Sequence, residues 1–271
     1  MNPTPTLIDA SLSVNAGYAT LRFERDDLRN ALTGTNLIND LCNTIAWANA
    51  NKAISTLIIT GAGKAFSSGG NVKEMRDKQG MFGGSQAEIS DSYRNGIQRI
   101  SRAMHSAEIV TIAAVNGAAV GAGFDLCSMA DLRIGCEHTR FGETFINLGI
   151  IPGDGGAWFL QRLVGYQRAA ELSFSGRIID SKEALEMGIL LECVASEELM
   201  ATAEAYARDY ATKPPLALRQ TKRLMKLAQR QELGDFLDVC ADVQSQCHHT
   251  KDHHRAVDAF VNKTTAQFEG N

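Results

Sequence analysis

Residues 112–126, Ile-Ala-Ala-Val-Asn-Gly-Ala-Ala-Val-Gly-Ala-Gly-Phe-Asp-Leu, constrain this chain more than any other stretch. A short apolar run suits a buried strand, Asn-Gly suits a turn, and the small residues after it open a helix that carries an acid, Asp125. The small side chains let a ligand come close to backbone N–H groups. A helix start also leaves amides unpaired at the positive end of its dipole. That is the layout of an oxyanion hole, in which preorganised donors face an oxygen that gains charge.

The flanking segments extend the same logic. Residues 18–23 alternate like a strand, and residues 37–50 carry helical spacing through Leu37, Leu41, Ile45 and Ala48. Residues 55–60 form a short apolar strand ending in Gly61-Ala62-Gly63. Further strands are expected at 109–115 and 132–134, and a Gly-rich surface loop at 80–85. Strands alternating with helices predict an α/β fold built from crossover units. After about Val194 the pattern turns helical, over 197–210, 214–230 and 235–261. The expected division is an α/β core over 1–195 and a helical C-terminal region over 196–271.

At 271 residues with 44% hydrophobic content, the chain suits one large domain or a core with an appendage. A net charge of -4 argues against a nucleic-acid partner, which calls for a basic surface. No apolar run reaches the roughly 18 residues of a membrane span, and the N-terminus lacks the pattern of a signal peptide. Cys42, Cys127, Cys136, Cys193, Cys240 and Cys247 include no C-x-x-C pair, so reduced thiols and a cytoplasmic setting are expected.

Four ordered segments carry a resemblance. They are Lys-Ala-Phe-Ser-Ser-Gly-Gly-Asn-Val-Lys-Glu-Met at 64–75, the stretch 115–131, Arg-Phe-Gly-Glu-Thr-Phe at 140–145 leading to Ile-Pro-Gly-Asp-Gly-Gly at 151–156, and Gly-Arg-Ile-Ile-Asp-Ser-Lys-Glu-Ala at 176–184. In this order and spacing the chain resembles the enoyl-CoA hydratase/isomerase (crotonase) family from about Tyr18 to Lys263. The resemblance implies a crotonase-like spiral of β-β-α units with a helical C-terminal oligomerisation region, assembled as a homo-trimer or hexamer. It implies an acyl-CoA thioester as substrate, with coenzyme A as its carrier and no tightly bound cofactor or metal. By motif, the backbone N–H groups of Ser68 and Ala122 would hold the thioester oxygen. Phe66, Ser68, Gly69, Asn71 and Val72 would line the CoA channel, and Lys263 would reach CoA from a neighbouring subunit. Asn71 stands where the family usually has Asp.

The departures concern the chemistry. Typical hydratases of the family use two glutamates, and the matching positions here are Asp125 and Phe145, so the second carries no proton. Asp154 stands where several relatives place a catalytic aspartate, among them dienoyl-CoA isomerases, dehalogenases and β-diketone hydrolases. Glu143 lies two residues before Phe145, and it would share that residue's face if the stretch is extended. The implied activity is therefore enoyl-CoA hydratase/isomerase chemistry with Asp154, Asp125 and Glu143 as candidate acids. Other chemistry through Asp154, or a non-catalytic CoA-binding role, is the alternative. Each acid also fits a plain role: Asp125 beside a helix dipole, Asp154 as an N-cap, Glu143 at a surface. Ser67 and Ser68 lack a G-x-S-x-G setting for nucleophilic work. Met81, Phe82, Phe145 and Trp158 are candidates for the acyl pocket. His249 and His253, four apart beside His248 and His254, have a metal-like spacing but fit a solvated helix face as well.

Overall fold

The computed structural model describes residues 2–271. Ten strands form two sheets: β1 (Ala10–Asn15), β2 (Tyr18–Phe23), β3 (Thr56–Gly61), β4 (Ala65–Ser67), β5 (Val110–Val115), β6 (Ala118–Val120), β7 (Leu132–Cys136), β8 (Arg140–Gly142), β9 (Ile178–Asp180) and β10 (Glu192–Val194). The larger sheet runs β1-β2-β3-β5-β7-β10 and the smaller β4-β6-β8-β9. Three successive strand pairs, β3/β4, β5/β6 and β7/β8, each lay one strand in each sheet. Within each sheet these strands are parallel neighbours. That is the spiral of β-β-α turns the resemblance implies.

The strand sequences account for the layering. Thr-Leu-Ile-Ile-Thr-Gly and Val-Thr-Ile-Ala-Ala-Val are buried along their whole length, as expected for parallel strands covered on both faces. On one face the helix Leu37–Ala50 turns Leu37, Leu41, Ile45 and Ala48 inward. On the other, Leu199, Ala203 and Ala207 pack against Ile58, Ile112 and Ile134. The helix Leu199–Ala211 is thus a layer of the α/β core, although it lies beyond the expected boundary at 195/196. The chain leaves that layer at Pro215–Leu227, then Leu233–His248 and Lys251–Asn262.

The long helix expected over 235–261 is two helices. Thr250 separates them, and its hydroxyl accepts the His253 N–H at 3.0 Å as an N-cap. No helix is long and apolar enough to cross a membrane among the described residues.

The turn between β5 and β6 is tied to the one between β3 and β4 by Asn116. Its Oδ1 accepts the Gly61 N–H at 3.1 Å, and its Nδ2 donates to Gly63 O at 3.0 Å. Two consecutive turns of the spiral are thereby fixed to each other at the end where the loops of interest emerge.

Candidate active site

Asp125 lies in the helix Ala122–Met129, Glu143 directly follows β8, and Asp154 precedes the helix Gly156–Val164. The fold brings these carboxyls together in the interior: Asp125 and Glu143 are 1% exposed and Asp154 4%. Asp125 accepts the Gly156 N–H at 3.1 Å, and its carboxyl is coupled electrostatically to those of Glu143 and Asp154. No fixed N–H or O–H donor reaches Asp125 Oδ1, Asp154 Oδ1 or either Glu143 oxygen among the described residues. Buried together, these acids hold a proton more tightly than exposed carboxyls do. The Asp125 pKa is driven well above the usual carboxylate range by burial first, then by the charges of Asp154 and Glu143. Burial also pushes Glu143 up to about 7, with the Asp125 hydrogen bond opposing and the Asp154 charge adding. Asp154 is raised by burial against the Asp125 hydrogen bond and a backbone hydrogen bond. The acids titrate as one unit.

Of the plain roles set beside these acids, that of Asp125 holds: it lies in the first turn of the helix Ala122–Met129. The helix after Asp154 is capped by Gly155 without a side-chain bond, so Asp154 is no N-cap. Asp125 also accepts the Gly156 N–H at the start of the helix Gly156–Val164. Glu143 is buried, but not by strand alternation: β8 ends at Gly142, and Glu143 opens a 3-10 turn, Thr144–Leu148. Gly156 permits the cluster, because a Cβ at that position would collide with the Asp125 carboxyl. Ser101 Oγ donates to the Asp154 carbonyl and anchors that turn to the helix Gln98–Ser106.

The backbone donors need one correction. The Ser68 N–H already donates to Arg29 O at 2.9 Å, and Ser68 Oγ donates to Leu28 O at 3.3 Å. The neighbouring amides of Gly69 and Asn71 are also occupied, by Ser67 Oγ at 3.1 Å and Thr33 Oγ1 at 2.7 Å. Gly70 is the residue of this loop whose N–H meets no acceptor among the described residues. Ala122, at the first position of its helix, is likewise unpaired. The two loops touch: a Cβ on Gly69 would lie 2.8 Å from Ala122 N, and Gly69 has φ 75°. A side chain there is excluded by both space and backbone conformation.

The expected CoA-channel residues divide. Phe66 is fully buried and packs on Phe23 with ring centroids 6.1 Å apart; it is a core residue rather than a channel wall. Asn71 caps the helix Val72–Asp77 by accepting the Lys73 and Glu74 N–H groups. Val72 is exposed and lines a cavity of about 540 Å³ with Met75, Phe82, Ile89, Tyr93 and Ile150. Of the acyl-pocket candidates, Phe82 is in this cavity and Trp158 is in another. Met81 and Phe145 pack against the core, the Phe145 ring beside Gly121. Sequence reading missed Tyr93, although Ile89 and Tyr93 are spaced four apart on one helix face. Lys263 is exposed at the C-cap of Lys251–Asn262 with φ 55°. His248 Nδ1 lies 3.0 Å from His253 Nε2, and His249 Nδ1 lies 2.8 Å from Ser245 O.

The family model for enoyl-CoA hydratase/isomerase matches residues 13–271. A crotonyl-CoA hydratase of Syntrophomonas wolfei is 31% identical over 92% of this chain and 94% of its own. A 1,2-epoxyphenylacetyl-CoA isomerase of Escherichia coli K12 is 30% identical over 95% and 97%. The crystal structure of an enoyl-CoA hydratase from Bacillus anthracis superposes with a TM-score of 0.88 at 30% identity, covering 97% of this chain and all of that one. The chain belongs to the enoyl-CoA hydratase/isomerase family and is an acyl-CoA-processing enzyme of crotonase type.

Proposed function

We propose that this enzyme shifts the double bond of an enoyl-CoA thioester, with Asp154 as the proton carrier. The observation that carries this reading is the buried carboxyl cluster of Asp125, Glu143 and Asp154, combined with Phe145 at the position of the second family acid. Two-glutamate hydration needs two acids around one water. A buried carboxyl cluster with raised pKa values suits a proton moved from one carbon to another.

In this mechanism the thioester oxygen lies between the N–H groups of Gly70 and Ala122. The Asp154 carboxylate removes a proton from C2 of a 3-enoyl-CoA. The C–H electron pair passes into the dienolate, and the charge moves to the oxygen held by the two amides. Asp154, now a carboxylic acid, returns its proton at C4, and the conjugated 2-enoyl thioester results. Each oxyanion donor contributes about 10²–10³ in rate. Asp125 is a positioning residue: its proton stabilises the Asp154 carboxylate before the transfer. Glu143, with a pKa of about 7, holds the cluster's further charge near neutral pH.

CoA is the substrate's carrier, so the reaction needs no tightly bound cofactor. We assign the working form to a homo-trimer or a hexamer made of trimers. Phe260 and Val261 at the end of the last helix, 86% and 70% exposed, offer an apolar face for the contact. In such an assembly the exposed Lys263 would meet the CoA of a neighbour. The six free cysteines suit a cytoplasmic setting.

Hydration is the second reading, favoured by the hydratases among the relatives. Offering trans-3-hexenoyl-CoA and crotonyl-CoA in parallel separates the two. Conjugated-enoyl absorbance should appear from the former faster than it disappears from the latter. Rapid loss from crotonyl-CoA with no gain from the 3-enoyl ester would replace isomerisation by hydration.

A further inference from the structure

The Gly70 backbone borders the cavity of about 540 Å³ beside Val72. A Cβ on Gly70 would meet Met75 Cε at 2.6 Å and Phe82 Cζ at 3.9 Å, and both side chains belong to that cavity's wall. An acyl chain whose thioester oxygen is held at this amide therefore starts among apolar side chains. A second cavity, of about 520 Å³, adjoins the first. The two share Tyr93 and Ile150, and the second continues to Ile151 and to Gly153, the residue before Asp154. Tyr93 thus stands at the junction, between the loop that carries the Gly70 donor and the turn that carries the acid.

The ring has a seat of its own. A Cβ on Gly153 would lie 3.2 Å from Tyr93 Cε1 and 3.5 Å from its Cδ1. The ring therefore covers the bare backbone of Gly153, and a side chain there would crowd it. The phenol lies in the neighbourhood of Asp154: its pKa is raised by burial first and then by the Asp154 charge, with no hydrogen bond among the causes. Packing rather than a hydrogen bond holds the ring, so its shape is what a ligand meets. Tyr93 is half-buried at the edge of the core, and no residue of its helix, Gln86–Asn95, is fully buried. A shorter side chain at this position leaves the core in place.

We propose that Tyr93 determines acyl-chain length, its ring confining the chain to the first cavity and keeping longer chains out of the second. The inference rests on the acyl-CoA reading above and adds the size of the acyl group. A chain that extends beyond the reacting carbons, which lie at Asp154, has to pass the ring to continue. With the ring removed, the two cavities join, and Ile150 and Ile151 offer the added methylenes an apolar wall. One methylene gained or lost in such a pocket is worth on the order of 10-fold in discrimination.

Binding of saturated esters tests this without any turnover. Dissociation constants for hexanoyl-CoA and decanoyl-CoA are measured on the unaltered protein, Tyr93→Ala, Tyr93→Leu and Tyr93→Phe, with circular dichroism to confirm that each variant is folded. The preference for decanoyl-CoA over hexanoyl-CoA should rise by about 10-fold or more in Tyr93→Ala, and by less in Tyr93→Leu, which carries the test if the alanine variant does not fold. Tyr93→Phe keeps the ring and should restore the ratio of the unaltered protein. A ratio that stays constant in the shortened variants overturns the proposal and leaves the acyl-CoA reading standing. So does an equal rise in Tyr93→Phe, which would place the discrimination on the hydroxyl. Failure of both esters to bind any of the folded proteins removes both readings.

Discussion

Glu143→Gln offers a quantitative test of the carboxyl cluster. Burial and the Asp154 charge raise the Glu143 pKa to about 7, against 4.5 for an unperturbed Glu. Because the folded-state value is the higher one, the folded state binds more protons between those two pH values, and stability falls as pH rises through that window. At 1.36 kcal/mol per pH unit, full ionisation costs the fold roughly 3 kcal/mol by pH 8. Gln is nearly isosteric, stays neutral, and still offers an oxygen to the Asp125 proton. The variant should match the unaltered enzyme near pH 4.5 and exceed it by roughly 3 kcal/mol at pH 8. For a chain of this size that corresponds to about 6–12 °C in Tm. Denaturant unfolding of both proteins at a fixed protein concentration, from pH 4.5 to 8, reads this directly. A stability difference that does not change with pH would refute the protonation scheme.

Other substitutions give separate expectations. Gly156→Ala places a methyl group into the Asp125 carboxyl; it should lower kcat at least 10-fold and cost about 1–3 kcal/mol of stability, and an active variant of normal Tm would contradict the packing. Gly69→Ala drives a Cβ toward Ala122 N in a left-handed backbone; thioester turnover should drop by about 10²-fold, measured as kcat/KM. Lys222→Met breaks a buried pair in which Nζ lies 2.5 Å from Asp131 and 2.6 Å from Ile109 O. Chemical denaturation should show a loss of about 3 kcal/mol, with kcat little changed in the folded fraction.

The strand–helix order, the spiral and the three acids were legible in the sequence because they depend on local patterns and on motif order. Hydrogen bonding across the fold was not. Ser68 and Gly70 look alike as donors until Arg29, in a left-handed conformation with φ 51°, turns its carbonyl onto Ser68 and leaves Gly70 free. Glu143 reaches the cluster through a 3-10 turn, a geometry that period-two spacing does not anticipate. Phe66 sits inside the family motif, yet its side chain points into the core, which only the packing against Phe23 reveals. The break at Thr250 had a local signal, a capping residue three before His253, that helical periodicity on both sides obscured.

The central claim is that Asp154 carries the proton. Its most direct test is the rate of trans-3-hexenoyl-CoA isomerisation by Asp154→Asn, with the dissociation constant for hexanoyl-CoA measured on the same preparation. The amide keeps the shape and cannot take the proton, so turnover should fall by about 10²–10⁴-fold while hexanoyl-CoA binding stays within a few-fold of the unaltered enzyme. Turnover that persists in a variant with intact binding would contradict the mechanism and transfer the role to Glu143.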